Sequence, residues 1–219
     1  MKGVVLSLPA RGRRRSVKQD FSLDVFLKRN LTTILFTLAF TAGFVWGAMV
    51  SLKADEEFLG KMDFLFTTNL DSRLSMGVLS SFAAHFASNF IFFAACALCG
   101  LSPWGVGALP FILAFKGFGT GLSAVYLIST YGLKGIGFYI VVVLPGAFIC
   151  SMALIFMCSE CGRTSVKLAR WIFFDSEGAK PFLLVAKKYL AGCVRFLFIM
   201  ALGAVCDMFL WSFVSKLFF

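Results

Sequence analysis

The side chains best placed to do chemistry in this chain are four polar groups set in otherwise apolar runs: His85, Asn89, Lys116 and Asp207. An ionisable group inside hydrocarbon costs free energy, so such residues turn toward neighbouring helices and pair. Counted at about 1.5 Å per residue from the ends of their runs, all four reach a depth of roughly 16–22 Å. Three helices would therefore deliver them to similar heights. The expected arrangement is a Lys116–Asp207 ion pair, with His85 or Asn89 satisfying the hydrogen-bonding groups left over. Such a pair serves either as a clamp that fixes helix order or as part of a permeation or proton path. The clamp is favoured, because transport sites usually add further polar residues that this chain lacks.

Other chemistry finds little support. A single histidine does not build a His-rich metal site, and HExxH, GxSxG and Walker sequences are absent. The run Gly117–Phe118–Gly119–Thr120–Gly121 lies inside an apolar stretch with no strand before it, so it reads as a packing motif rather than a phosphate loop. Gly100–Leu101–Ser102–Pro103 matches an intramembrane serine protease signature only loosely, without the glycine after the serine and without a second histidine. Cys96/Cys99 and Cys158/Cys161 are both CxxC pairs at one end of their helices, so a four-thiolate zinc site is geometrically conceivable. No ribbon or finger pattern flanks them, and the expected role of these cysteines is that of small apolar residues. No enzymatic activity, cofactor or metal is expected.

The elements that must position these groups follow from composition. Of the 219 residues 59% are hydrophobic and 15% charged, a balance far from that of water-soluble domains. The apolar residues, 28 phenylalanines among them, fall in runs of membrane-spanning length. The fold class is therefore all-α, a polytopic helical membrane protein with about five transmembrane helices. Residues 1–30 form a basic cytoplasmic segment and 31–219 one helical membrane domain. Its spans are expected at about 31–52, 75–99, 105–131, 134–158 and 190–215, with an amphipathic cytoplasmic loop at 159–189 resting on the inner leaflet. A short amphipathic helix is expected at Ser22–Arg29. The third span holds Pro110 and five glycines, so it is expected to be broken or kinked; Pro145 should kink the fourth.

Small residues mark where helices approach. Ala39, Gly43 and Gly47 recur every four residues on the first span, and Gly117 and Gly121 do so on the third. The net charge of +10 is concentrated beside spans, where it acts as a topology signal rather than as a nucleic-acid footprint. Arg11, Arg13, Arg14 and Arg15, with Arg163, Lys167 and Arg170, are the expected contacts to anionic lipid. The apolar stretch Val4–Ala10 precedes the arginines instead of following them, so the first span is expected to stay as an uncleaved anchor. Residues 1–30 and 159–190 carry fourteen Lys/Arg against four in the opposite loops. That bias puts the N-terminus in the cytoplasm and the C-terminus outside. The acidic, aromatic loop 53–73, with Asp55, Glu56, Glu57, Phe58 and Phe64, then faces outward as a candidate docking surface.

Three stretches carry a resemblance to a known family. SNFIFFAACALCGLSPWG at the end of the second span is followed by LPFILAFKGFGTG with Lys116–Gly117–Phe118. YGLKGIGFYIVVVLP then ends in Leu144–Pro145. Together they resemble the stage II sporulation protein M family of spore-forming bacteria. The resemblance implies a non-enzymatic scaffold that anchors and localises membrane-associated peptidoglycan hydrolases, stage II sporulation proteins P and D, during engulfment. A small channel or secondary transporter using Lys116 and Asp207 is the competing class. Membrane lipids are partners on either reading, nucleic acid on neither, and a homo-oligomer stays open.

Overall fold

The computed structural model describes residues 23–53, 77–174 and 182–213. All regular structure within them is helical: α1 (Leu23–Ser51), α2 (Val78–Gly100), α3 (Gly105–Phe138), a π-helical turn (Tyr139–Val143), α4 (Leu144–Phe174) and α5 (Phe182–Phe213). Four stretches are long and apolar enough to cross a membrane: Asn30–Ser51, Val78–Gly100, Gly105–Phe173 and Ala186–Phe213. The third is 69 residues long, whereas one crossing needs about 20.

That stretch folds back on itself at Gly132, where the backbone leaves the helix at φ 59° and ψ −131°. Gly135 consequently lies against the Leu127 carbonyl. In a straight helix two residues so spaced would be about 12 Å apart. Residues 105–131 and 133–174 are thus two helices, each of membrane-spanning length, and the described residues hold five such helices in all. Space around Gly132 is open, so the dihedral rather than crowding demands glycine there. Gly132 is the turn expected between 131 and 134; within 105–131 itself the helix runs through Pro110 and the glycines with helical dihedrals, because Gly105, Gly117 and Gly121 pack against protein rather than freeing the backbone.

Pro145 has no N–H for a helical ladder. In the turn before it the ladder is rewritten, with the Leu144 N–H reaching back to the Tyr139 carbonyl in the five-residue spacing of a π turn. The amphipathic loop expected at 159–189 is corrected by the structure: α4 continues without a break to Phe174, and α5 begins at Phe182. No glycine or proline stands between Arg163 and Phe174 to stop the helix. Likewise the helix expected at Ser22–Arg29 is not a separate element but the beginning of α1.

Two seams hold the bundle. Along the first, α1 and α3 run parallel in constant register. A Cβ on Gly43 would strike the backbone of Ala114, and one on Gly47 that of Phe118. Reciprocally, Gly117 faces the Phe40 carbonyl and Gly121 that of Phe44. Ser51 Oγ, one turn beyond Gly47, donates to the Leu122 carbonyl at 3.1 Å. Backbones that touch in this way gain dispersion and Cα–H···O contacts, which replace the hydrophobic drive that is missing in lipid. Along the second seam α4 and α5 run antiparallel: Gly146 abuts Asp207, and Cys150 Sγ abuts Gly203.

The main apolar core draws on every helix, with Phe36, Phe92, Leu109, Leu154 and Met200 among its buried members. A smaller cluster of Leu127, Phe138, Val142 and Trp211 closes the other end. There the Phe138 and Trp211 rings meet edge to face at 5.1 Å. Outside the bundle the surface stays apolar, with Leu79, Phe111 and Leu133 79%, 77% and 86% exposed. Water would not tolerate so continuous an apolar exterior; lipid does.

Candidate functional site: an intramembrane polar centre

Asp207 sits on α5 between the two apolar clusters and is 1% exposed. Its Oδ2 is 2.9 Å from His85 Nδ1 on α2. Room for the carboxylate comes from Gly146 on α4: a Cβ there would fall 2.8 Å from the Asp207 Cβ. Gly146 follows Pro145 and the π turn, so an irregular stretch of helix borders the buried acid. Irregular backbone of this kind is tolerated at membrane depth only where protein surrounds it.

Asn89, one turn after His85 on α2, is buried and donates its side-chain amide to the His85 carbonyl at 2.9 Å. Lys116 on α3 is half-buried, with Nζ 4.9 Å from the centroid of the Phe92 ring, a cation–π contact. Cys150 lies within electrostatic reach of both Lys116 and Asp207. The structure therefore sets His85 directly against Asp207, with Asn89 bonded back to His85 and Lys116 over the Phe92 ring. Chemically the centre sets a carboxyl against an imidazole in an enclosed region, with the Lys116 amine on the neighbouring helix, which suits charge compensation or proton exchange.

Other singled-out residues are distributed as follows. Ala39 is half-buried on the α1 face that carries Gly43 and Gly47. Arg163 is exposed, 3.5 Å from Glu160, and Lys167 and Arg170 are exposed along the same extension of α4. Arg11, Arg13, Arg14 and Arg15, and the loop residues Asp55, Glu56, Glu57, Phe58 and Phe64, lie outside the described residues.

Sequence reasoning missed four polar cross-links, of which the Ser51–Leu122 bond is given above. Thr33 Oγ1 meets Ser159 Oγ at 2.9 Å. Ser165 Oγ donates to the Ser102 carbonyl at 2.6 Å, tying α4 to the α2–α3 connection. Tyr189 Oη donates to the Ala97 carbonyl at 2.6 Å, tying α5 to α2. Single hydroxyls in apolar helices carry little signal on their own. Gly146 and Gly203 were missed as well, although each stands four residues before a small or short residue, Cys150 and Asp207, in the spacing that marks a helix seam.

A family model described as "Stage II sporulation protein M" matches residues 32–212, and the compact body of the chain likewise begins at Thr32. No curated protein and no solved structure matches the chain.

Proposed function

Because the chain belongs to the stage II sporulation protein M family, we propose that it is a non-enzymatic scaffold of the cell membrane. In that role it anchors and localises membrane-associated peptidoglycan hydrolases of the stage II sporulation protein P and D type during engulfment. The observation that carries the reading, beside the family, is how the polar side chains of the membrane body are used. Ser51, Thr33, Ser159, Ser165 and Tyr189 each reach across to another helix or its connection. His85 and Asp207 join α2 to α5. Polar groups spent on helix contacts make a rigid platform, which is what an anchor for enzymes working outside the membrane requires.

In this arrangement the basic N-terminus and the basic stretch 159–190 face the cytoplasm, a reading supported by the fourteen Lys/Arg they carry. Arg163, Lys167 and Arg170 then meet the anionic headgroups of the inner leaflet, and the acidic loop 53–73 meets the partners outside. Affinity purification of the full chain from its own membranes should recover peptidoglycan-degrading enzymes. Glu56→Lys with Phe58→Ala should lower that recovery severalfold while the amount of scaffold stays constant. Equal recovery from the double variant rejects the loop as the docking surface, and no hydrolase in the wild-type eluate rejects the scaffold.

A second reading has one observation in its favour. The π turn, Pro145 and Gly146 stand beside a buried acid, and discontinuous helices next to ionisable groups are how transporters build substrate sites. On this reading purified protein in sealed vesicles conducts protons or a small solute, and Lys116→Met abolishes the flux. Vesicles no leakier than protein-free controls exclude it.

A further inference from the structure

Five of the seven cysteines lie at the end of the bundle where α2 stops and α4 passes beside it. Cys96 Sγ on α2 and Cys158 Sγ on α4 are 3.2 Å apart; both are free thiols and both are fully enclosed. Cys161, one turn beyond Cys158, is held 3.4 Å from Tyr189 Oη. The tyrosine proton is committed to the Ala97 carbonyl, so the Cys161 thiol is the donor in that contact. Gly100 leaves room for it, since a Cβ there would stand 3.0 Å from the Cys161 Cβ. Cys193 follows Tyr189 by one turn on α5.

Cys99 is different. It follows Cys96 by one turn, on the last turn of α2 before the connection at 101–104, and is only half-buried. Its neighbours Leu98, Leu101 and Trp104 are exposed. Cys193 is half-buried as well, but it lies well inside α5, whereas Cys99 is one residue from the end of α2 and its connection, where a reagent from the aqueous phase arrives. The Cys96–Cys158 contact is close enough that about 1 Å of side-chain movement would bring the sulfurs to the bonded distance of about 2.05 Å. Among the described residues no three of these groups converge as metal ligands would.

We infer that this cluster is a thiol–disulfide exchange site. A small aqueous disulfide enters at Cys99, and the product is a Cys96–Cys158 disulfide that pins α2 to α4. The Cys99 thiolate attacks one sulfur of the small disulfide RSSR, forming a mixed disulfide and expelling RS⁻. Cys96, on the same face one turn earlier, attacks the Cys99 sulfur and expels the second RS⁻. Cys158 then attacks the Cys96 sulfur, forming the Cys96–Cys158 bond and returning Cys99 as the leaving thiolate. In sum two protein thiols are oxidised, one RSSR is reduced to two RSH, and the two thiol protons pass to the leaving groups. Cys161 stays out of the exchange because its thiol is engaged with Tyr189.

The test uses the full chain in isolated native membranes with oxidised glutathione as the probe disulfide. After incubation, free thiols are alkylated and peptides are mapped by mass spectrometry without reduction. The expected product is a Cys96–Cys158 cross-link that dithiothreitol reverses. Cys158→Ser should halt the exchange with glutathione on Cys99 or with a Cys96–Cys99 bond. Cys99→Ser should slow cross-linking by about tenfold or more, because the two enclosed thiols lose their accessible entry point. The inference is overturned if the wild-type thiols all remain alkylatable after oxidation, or if the cross-link joins a different pair. It is also overturned if Cys99→Ser reacts as fast as wild type, or if the purified protein carries stoichiometric zinc on these thiolates. The wild-type measurement needs no variant, so a misfolded mutant does not shield the idea.

Discussion

Leucine at both Gly43 and Gly47 should force α1 off α3 and remove most of the folded protein from the membrane. At each position a Cβ alone would fall on backbone, that of Ala114 or Phe118, and backbone cannot rotate aside as a side chain can. The helix axes must part, and the contacts in register with the glycines part with them. The Ser51–Leu122 hydrogen bond and the burial of Phe36 are the first to go. Overpacking costs about 1–3 kcal/mol per site when a core can adjust. Two adjacent sites against rigid backbone should exceed the upper figure.

The sharper form of this prediction uses alanine, which adds a single carbon. Gly47→Ala should lower the thermal midpoint in detergent by several degrees, and Gly117→Ala should act alike from the other side of the seam. Gly107→Ala is the control: the residue sits on α3 too, but nothing lies within 4 Å of its Cβ position. There alanine should be neutral or should stabilise by up to about 1 kcal/mol, as helix propensity dictates. If Gly47→Ala and Gly107→Ala behave the same, backbone contact does not hold α1 to α3.

Why this seam could be read from sequence while other features could not comes down to what a linear pattern encodes. Small residues four apart on two apolar runs mark two faces, and with parallel spans those faces can meet, so Gly43, Gly47, Gly117 and Gly121 were legible. Charge placement and span length gave the number of crossings, and 131 and 134 bracketed the reversal at Gly132. Depth counting placed His85, Asn89, Lys116 and Asp207 at one level. It gives height along the membrane normal but not direction around each helix axis, so it could not choose His85 over Lys116 as the group 2.9 Å from Asp207. The extension of α4 to Phe174 was misread for a related reason. Amphipathic periodicity looks the same whether a helix lies on a leaflet or continues a span, and only the unbroken backbone distinguishes them. The Cys96–Cys158 approach needed the azimuth of two helices at once, and spacing within either CxxC pair does not contain it.

The same buried acid gives the second large effect. Asp207→Asn keeps the shape of the side chain and removes its charge, so whatever positive charge the centre holds loses its counterion in an enclosed site. Breaking a buried pair from one side costs about 3–5 kcal/mol, because the remaining partner is left desolvated and uncompensated. The variant should therefore unfold well below wild type, and His85→Gln should lose less, since an uncharged amide can still face the carboxylate. Lys116 supplies the decisive comparison. If its ammonium balances Asp207 across the centre, Lys116→Met in the Asp207→Asn background removes two opposite charges together, and the double variant should be more stable than the sum of the singles by 1 kcal/mol or more, as coupled neighbours show. Strict additivity would mean that the lysine and the carboxylate, although both within reach of Cys150, do not neutralise one another. The centre would then be a His85–Asp207 pair alone, with Lys116 serving the Phe92 ring and the α3 face instead.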